Sequence, residues 1–259
     1  MKKLGLVLGS GGARGVAHIG FLQALDENGI KPYCIAGCSM GAVVGGLYAK
    51  GMTPAEMLEV IKGLKASDIV DLSSNMIREK SMLKTVKMAK LIDKFYGDTT
   101  FEELRIPFMC NAFDLNKGKT VWFNTGKVAP CVRASASIPT VFKPVEMGDR
   151  LLVDGGVIKR MPVEAVYKMG ADAIVGVDVL GEPKGAEHDK NIFTYVLRLI
   201  EAVDWANASE EYEKGKYDIL ILPDLGEMSQ YVVKHLEFAY ERGYDAGMNS
   251  VNAIKELIS

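Results

Sequence analysis

The chain has 259 residues, of which 48% are hydrophobic and 25% are charged, and its formal net charge at pH 7 is −2. These values are typical of a soluble globular protein that can bury a sizeable core. The near-neutral charge argues against a nucleic-acid-binding protein, because such proteins usually carry an overall positive field. The length suits one large α/β domain over residues 1–259 better than two small domains.

The cysteines and the N-terminus indicate a cytoplasmic protein. The four cysteines occur singly, so their spacing indicates neither a zinc site nor a disulfide framework. The N-terminal apolar run ends at Gly9 and is too short for a signal peptide. No run of about 18 apolar residues predicts a helix that spans a membrane.

A glycine-rich loop, Gly9–Gly15, follows the first predicted strand, Leu4–Leu8, and precedes a predicted helix that ends near Asn28. A dinucleotide could bind to such a loop, but Arg14 stands where the last glycine of G-x-G-x-x-G is required. The loop could instead bind an oxyanion, because adjacent glycines let backbone N–H groups converge at a helix N-terminus. His18 lies at helical spacing among apolar residues and is expected to pack in the core.

The segment Gly37-Cys38-Ser39-Met40-Gly41 has the spacing of a nucleophile elbow. In such an elbow a strand turns sharply into a helix, and the flanking positions tolerate almost no Cβ atom. A short apolar strand is predicted before Gly37 and an apolar helix after Gly41. Ser39 is therefore the candidate nucleophile.

A serine hydroxyl is a weak nucleophile until a base takes its proton, and two kinds of base are open. In the first, a histidine acts together with an acid, in the chain order serine, acid, histidine. In the second, a carboxylate acts directly, and Asp154 is placed for this because an apolar strand precedes it and Gly155 and Gly156 follow it. The first scheme would use Asp154 or Asp178 with His188 or His235.

Residues 65–100 have the least regular pattern and are predicted to form a cap or lid. Several basic residues there share one helical face and could contact an anionic membrane peripherally. They are Arg78, Lys80, Lys84, Lys87 and Lys94. The later elements are predicted as strands at 106–112 and 119–123, a helix at 128–137, a strand at 171–179, a helix at 191–214, a strand at 217–222 and one or two closing helices at 231–257.

Four stretches in this order resemble the patatin-like phospholipase family in its compact bacterial form: Gly11–Gly15, Gly37–Gly41, Arg133–Pro139 and Asp154–Gly156. The resemblance covers about residues 4–180, and the last third of the chain carries no matching motif. It implies a three-layer α/β/α fold with a mainly parallel central sheet. It also implies hydrolysis of lipid acyl esters by a Ser-Asp dyad, without a metal or another cofactor.

The resemblance assigns a role to each matching residue. Ser39 would be the nucleophile and Asp154 the base, and the backbone amides of Gly11, Gly12 and Ala13 would form the oxyanion hole. The supporting residues would be Arg14, Gly37, Gly41, Gly155 and Gly156. Phospholipids, lysophospholipids and neutral esters all remain open as substrates.

Overall fold

A computed structural model of the chain describes residues 1–63, 89–183 and 192–259. The strands of these parts form one eight-stranded sheet. The strands are β1 (Leu4–Leu8), β2 (Cys34–Gly37), β3 (Phe108–Asp114), β4 (Lys119–Phe123), β5 (Val145–Met147), β6 (Arg150–Asp154), β7 (Ala173–Val177) and β8 (Ile219–Ile221).

The sheet is mainly parallel, as predicted. Its order is β5-β6-β3-β2-β1-β7-β8, and β4 pairs with β3 outside this path. The strands β3, β2, β1, β7 and β8 run parallel to one another. The strands β4 and β6 pair antiparallel with β3, and β5 pairs antiparallel with β6. Both strands of the antiparallel hairpin of β3 and β4 were predicted from the sequence, whereas β5 was not.

Helices connect the parallel strands and cover the sheet. A 3₁₀ helix, Gly12–Val16, leads directly into the first α-helix, and residues 89–96 are also helical. The α-helices with described bounds are α1 (Ala17–Glu27), α2 (Met40–Lys50), α3 (Pro54–Gly63), α4 (Val128–Ser135), α5 (Val163–Lys168), α6 (Ile192–Glu213) and α7 (Leu236–Ile258). The closing segment is thus a single helix that begins at Leu236, five residues after the predicted start.

Both faces of the sheet are buried, because successive side chains of a strand point to opposite faces. In β1, Leu6 and Leu8 pack into a core with residues of α1, α2 and α7. Val7, between them, packs into a second core with residues of α5. Helices on both faces make the three-layer α/β/α arrangement that was predicted.

The register of β3 brings two distant parts of the chain together. Cys110 of β3 pairs with Gly37 at the end of β2, and Ala112 of β3 pairs with Asp154 at the end of β6. The segment that follows β2 and the last residue of β6 therefore meet near the same point of the sheet. The carboxyl ends of parallel strands are the usual place for a ligand in an open α/β sheet.

Most of the segment predicted as a cap lies outside the described residues, and so do Arg78, Lys80, Lys84 and Lys87. Lys94 belongs to the helical residues 89–96, where it is exposed and its Nζ lies 5.8 Å from the centroid of the Phe95 ring. In the described parts of the chain, no helix is long and apolar enough to cross a membrane.

Candidate active site

Ser39 lies in a strained turn between β2 and α2. Its backbone angles are φ 53° and ψ −120°, a region that residues with a Cβ atom rarely adopt. The turn requires glycine on both sides of Ser39, because the neighbouring backbone leaves no room for a side chain. A Cβ on Gly41 would lie 2.1 Å from the Leu8 carbonyl oxygen, and a Cβ on Gly37 would lie 2.4 Å from the Gly41 carbonyl oxygen. This geometry places the Ser39 hydroxyl at the start of a helix.

The side chains of Ser39 and Asp154 are in direct contact. Ser39 Oγ donates a hydrogen bond of 2.5 Å to Asp154 Oδ2, and each residue is only 4% exposed. A carboxylate within hydrogen-bond distance of a hydroxyl can accept its proton. The two residues therefore have the geometry of a nucleophile and its base.

The other oxygen of Asp154 is held by its surroundings. The Gly156 amide donates to Asp154 Oδ1 at 2.8 Å, and Cys38 Sγ lies 3.9 Å from the same oxygen in donor geometry. Burial raises the pKa of Asp154 to about 7, and the hydrogen bonds from Ser39, Gly156 and Cys38 oppose this rise. A base with a pKa near neutrality takes up and releases a proton readily at physiological pH.

Two further serines fix the elbow. The Ser39 amide donates to Ser135 Oγ at 3.0 Å, and Ser10 Oγ donates to Cys38 Sγ at 3.2 Å. Ser135 is the last residue of α4 and belongs to the family-like stretch Arg133–Pro139, in which no residue was predicted to have a role. Cys38 is thus held by the glycine loop, and Ser39 is held by α4.

In the glycine loop, one of the three predicted donors is already engaged. The Ala13 amide donates to the Gln230 carbonyl oxygen at 2.9 Å. Gly12 has φ 50°, and a Cβ there would lie 2.2 Å from the same oxygen. Within the described residues, the amides of Gly11 and Gly12 have no acceptor, so these two are the loop's available donors.

Two side chains anchor this loop. His18 is fully buried, and its Nε2 lies 2.8 Å from the Gly9 carbonyl oxygen, to which it must donate because a carbonyl can only accept. Burial lowers the pKa of His18 to about 4, so the ring is neutral at pH 7. Arg14 Nη1 donates to the Leu180 carbonyl oxygen at 3.1 Å, and its Nε has no partner among the described residues.

The last third of the chain forms one wall of the site, which the sequence did not predict. Ser39 and Asp154 line a small pocket together with residues of α6 and of the loop between β8 and α7. A larger cavity of about 350 Å³ shares part of this wall and reaches Arg14 and Arg160. Gln230 Nε2 donates to Glu201 Oε1 at 2.6 Å and ties the loop to the helix. The residues of this wall are Ile200, Glu201, Asp204, Gln230 and Tyr231.

A separate apolar cavity of about 80 Å³ lies beside Met40, the residue after Ser39. Residues of α1, α2, α3 and the helical segment 89–96 line it, and Tyr96 is its only lining residue with a polar side-chain atom. The Tyr96 hydroxyl donates to the Val43 carbonyl oxygen at 2.9 Å. The elbow thus has a charged cavity and an apolar cavity in its neighbourhood.

Asp178 and His235, two candidates for the alternative Ser-His-Asp triad, have surroundings other than Ser39. Asp178 is buried and accepts a hydrogen bond of 2.7 Å from Arg160 Nη2. His235 is exposed directly before α7, and His188 lies outside the described residues. Within the described parts, neither His18 nor His235 contacts Ser39, and no group of His, Cys, Asp and Glu side chains is arranged to hold a metal ion.

Comparison with protein families gives a match to the model described as patatin-like phospholipase, over residues 6–167. The matched range contains the glycine loop, Ser39 and Asp154.

Curated relatives agree with this match. An uncharacterised NTE family protein of Mycobacterium tuberculosis is 40% identical over 187 residues, which are 72% of this chain and 52% of the relative. A lysophospholipase NTE1 of Candida glabrata is 35% identical over 179 residues, which are 68% of this chain and 10% of that enzyme. The match thus spans about half of the mycobacterial relative and a small part of the fungal one.

Among solved structures, VipD from Legionella pneumophila is similar in fold. The TM-score is 0.64 at 16% sequence identity, and the similarity covers 98% of this chain and 67% of VipD. At this identity the likeness concerns the fold.

Proposed function

Because the chain belongs to the patatin-like phospholipase family, we propose that it hydrolyses the acyl esters of lipids with Ser39 as nucleophile and Asp154 as base. The observation that carries the proposal is the 2.5 Å hydrogen bond between Ser39 Oγ and Asp154 Oδ2. It joins the two residues that the sequence motifs single out, at a strained turn that presents the hydroxyl.

In the proposed reaction, Asp154 accepts the Ser39 proton while Ser39 Oγ attacks the ester carbonyl. Asp154 then gives that proton to the leaving alcohol, and an acyl-enzyme remains on Ser39. A water molecule, deprotonated by Asp154, then attacks the acyl-enzyme. As the bond between Ser39 Oγ and the acyl carbon breaks and the fatty acid is released, Asp154 returns the proton to Ser39 Oγ. The raised pKa of Asp154 suits both the acceptance and the return of the proton.

The negative oxygen of each tetrahedral intermediate would be stabilised by the amides of Gly11 and Gly12. These amides lie at the start of a 3₁₀ helix that continues into α1, where the backbone field favours an anion. Each donor of such a hole is typically worth about 3 kcal/mol of the barrier. Ala13 would anchor the loop through Gln230, and Arg14 through Leu180.

The two cavities differ in polarity, and together they suit a substrate with one apolar end and one polar end. The apolar cavity beside Met40 suits part of an acyl chain, because only methylene and methyl groups can enter it without losing hydrogen bonds to water. The larger cavity, with Arg14 and Glu201 in its wall, suits a polar or charged alcohol portion. A phospholipid or a lysophospholipid has this combination of parts.

The proposal is tested with Ser39→Ala and Asp154→Asn, assayed on a short-chain nitrophenyl ester and on phosphatidylcholine, lysophosphatidylcholine and triacylglycerol. Both variants are expected to lose activity by about 10³-fold or more, because nucleophile and base act as one unit. Fatty-acid release by the parent protein from each lipid identifies the substrate class.

Ser250→Ala and Asp149→Asn are matched controls, since Ser250 lies on α7 and Asp149 in the turn between β5 and β6. Both controls are expected to retain parental activity. Full activity of Ser39→Ala or of Asp154→Asn would refute the dyad.

A further inference from the structure

Asp204 of α6 is a buried carboxyl group that the proposed reaction does not use. It is 3% exposed and lines the small pocket of Ser39 and Asp154. It also lines the larger cavity of about 350 Å³. Asp204 therefore lies where the two spaces meet, and the alcohol portion of an ester held at Ser39 would pass beside it on entering the larger cavity.

The packed side of α6 brings Asp204 to this position. Ile200 and Glu201 lie one turn earlier on the same side and line the same pocket. The opposite side of the helix is apolar and faces outward, with Tyr195 and Leu199 exposed. An acidic side chain on the packed side is costly to bury, so its hydrogen bonds and its charge require an explanation.

Asp204 is held by Arg160. Its Oδ1 accepts a hydrogen bond of 3.1 Å from the Arg160 amide, which fixes the direction of the carboxyl group. Its Oδ2 lies 3.4 Å from Arg160 Nη1, which is longer than an ordinary hydrogen bond between such groups. Oδ2 is therefore the weakly bonded oxygen of Asp204, and it retains the capacity to bind another group.

The charge of Arg160 is already matched by another carboxylate. Arg160 Nη2 donates to Asp178 Oδ2 at 2.7 Å. Asp178 accepts three further hydrogen bonds, from two backbone amides and from the Tyr212 hydroxyl, which suits an ionised carboxylate. Within the described residues, a second negative charge on Asp204 would have only the 3.4 Å contact to the same guanidinium group.

The surroundings of Asp204 favour its neutral form. Burial raises the pKa of Asp204 to about 8; Arg160 opposes this rise, and the charges of Asp178 and Asp154 add to it. At pH 7 Asp204 therefore keeps its proton, and a neutral carboxyl group can donate a hydrogen bond. The other charged or titratable side chains that line the two spaces are Arg14, Glu182, Glu201, Glu227 and Tyr231.

We propose that Asp204, as a neutral carboxylic acid, donates a hydrogen bond from Oδ2 to an oxygen atom in the alcohol portion of the ester that Ser39 attacks. The inference rests on the proposed function, because it requires an ester at Ser39. The favoured substrates are esters of alcohols with a second oxygen close to the ester bond, as in glycerol, over esters of plain alkyl alcohols. An ionised Asp204 has no proton to donate, so the preference is lost when Asp204 ionises.

Two soluble esters with the same acyl chain test this preference: 2-methoxyethyl butyrate and butyl butyrate. They differ only in the replacement of one methylene group by an ether oxygen, which accepts a hydrogen bond but cannot donate one. The ratio of their kcat/KM values, measured in a mixture, does not depend on the amount of folded enzyme. At pH 6.5 we expect the parental ratio to favour the ether ester about three- to tenfold more than the ratio of Asp204→Ala does, and to fall to the Asp204→Ala value by pH 9.5.

Asp204→Asn keeps a neutral donor and removes the ionisation. Its side-chain oxygen can accept from the Arg160 amide, and its side-chain nitrogen then takes the place of Oδ2. The ratio should therefore stay within about twofold of the parental value at pH 6.5 and should not change up to pH 9.5. Glu210→Ala is the matched control, because Glu210 also lies on α6 but is exposed and paired with Lys214. Its ratio should equal the parental ratio at each pH.

Three results would overturn the proposal: a parental ratio equal to that of Asp204→Ala at pH 6.5, a parental ratio that stays constant up to pH 9.5, or loss of the preference in Asp204→Asn. If Asp204→Ala does not fold, the pH dependence of the parental ratio and the Asp204→Asn variant still decide. A protein that hydrolyses none of these esters and no nitrophenyl ester would overturn the proposed function and this inference with it. Hydrolysis of the nitrophenyl ester that Ser39→Ala abolishes, together with one of the three results, would overturn this inference alone.

Discussion

Ser39 and Asp154 reach the pocket from strand ends that sequence motifs mark, whereas Ile200, Glu201 and Tyr231 reach it from a helix and a loop without a motif. In the first region the backbone is strained and tightly packed, which holds the side chains of the proposed dyad in fixed positions. In the second region, side chains line the opening and the outer surface. From this difference we expect the first region to determine the chemical reaction, and the last third to determine which substrate enters the pocket.

Outside the proposed dyad, the largest effect on activity is expected for Gly12→Val, at the point where the two regions touch. A valine would be strained at φ 50°, and its Cβ would lie 2.2 Å from the Gln230 carbonyl oxygen, so the loop must move. Because the proposed oxyanion donors move with it, kcat on a short-chain ester should fall about 10²- to 10³-fold.

The control for this variant is Gly63→Val, since a Cβ at Gly63 has no neighbour within 4 Å. Its activity should stay close to the parental value. A fully active Gly12→Val protein would show that the loop does not take part in the reaction. It would also contradict the division of roles between the two regions.

A second prediction concerns the pH dependence of catalysis. The base must be ionised, and the pKa of Asp154 is raised to about 7. The kcat/KM on a dissolved ester should therefore rise about tenfold per pH unit below pH 7 and level off above it. A profile that is flat from about pH 5 to pH 8 would exclude Asp154 as the base.

The same carboxyl group should make stability depend on pH. Between its ordinary pKa of 3.8 and its raised value of about 7, the folded state binds more protons than the unfolded state. The free energy of unfolding should therefore fall as pH rises through this range, by at most about 4 kcal/mol. Asp154→Asn lacks this contribution, so its stability relative to the parent should increase from pH 4 to pH 8 in urea denaturation. A pH-independent difference would contradict the raised pKa.

A further prediction concerns the stability that His18 contributes through its hydrogen bond to the glycine loop. His18→Ala removes the donor to the Gly9 carbonyl oxygen and leaves a cavity, so the free energy of unfolding should fall by about 2–4 kcal/mol. His18→Gln keeps an N–H donor and should lose less. Equal losses in the two variants, measured by urea denaturation, would show that the hydrogen bond contributes little.

The smallest effect is expected for Gln230→Ala in the last third. The substitution removes the bond to Glu201 but keeps the backbone carbonyl that accepts from Ala13. The KM for a lysophospholipid should rise about two- to fivefold with little change in kcat, because only the wall of the pocket loosens. A large fall in kcat instead would place this loop in the chemistry itself.

The sequence was most informative where local geometry restricts the residue type. Ser39 could be singled out because an elbow needs glycines at positions 37 and 41, and the burial of every residue of β1 follows from its continuous apolar run. The α/β fold class was indicated by the chain length and implied by the resemblance to the patatin-like phospholipase family.

Contacts between distant segments could not be derived in this way. Nothing near Ala13 signals that its amide meets the carbonyl of Gln230, since any residue could supply that carbonyl. The role of Ser135 depends on where α4 packs, and the outward apolar face of α6 cannot be distinguished from a core face by periodicity alone. These features depend on tertiary packing, which a single sequence does not specify directly.

The most direct test of the central claim is the rate at which a fluorophosphonate labels Ser39, followed by intact mass and peptide mapping. We expect one adduct, located on Ser39, whose rate of formation rises with pH up to about 7 and falls by about 10³-fold in Asp154→Asn. Labelling of another residue, or labelling of Ser39 at the parental rate in Asp154→Asn, would contradict it.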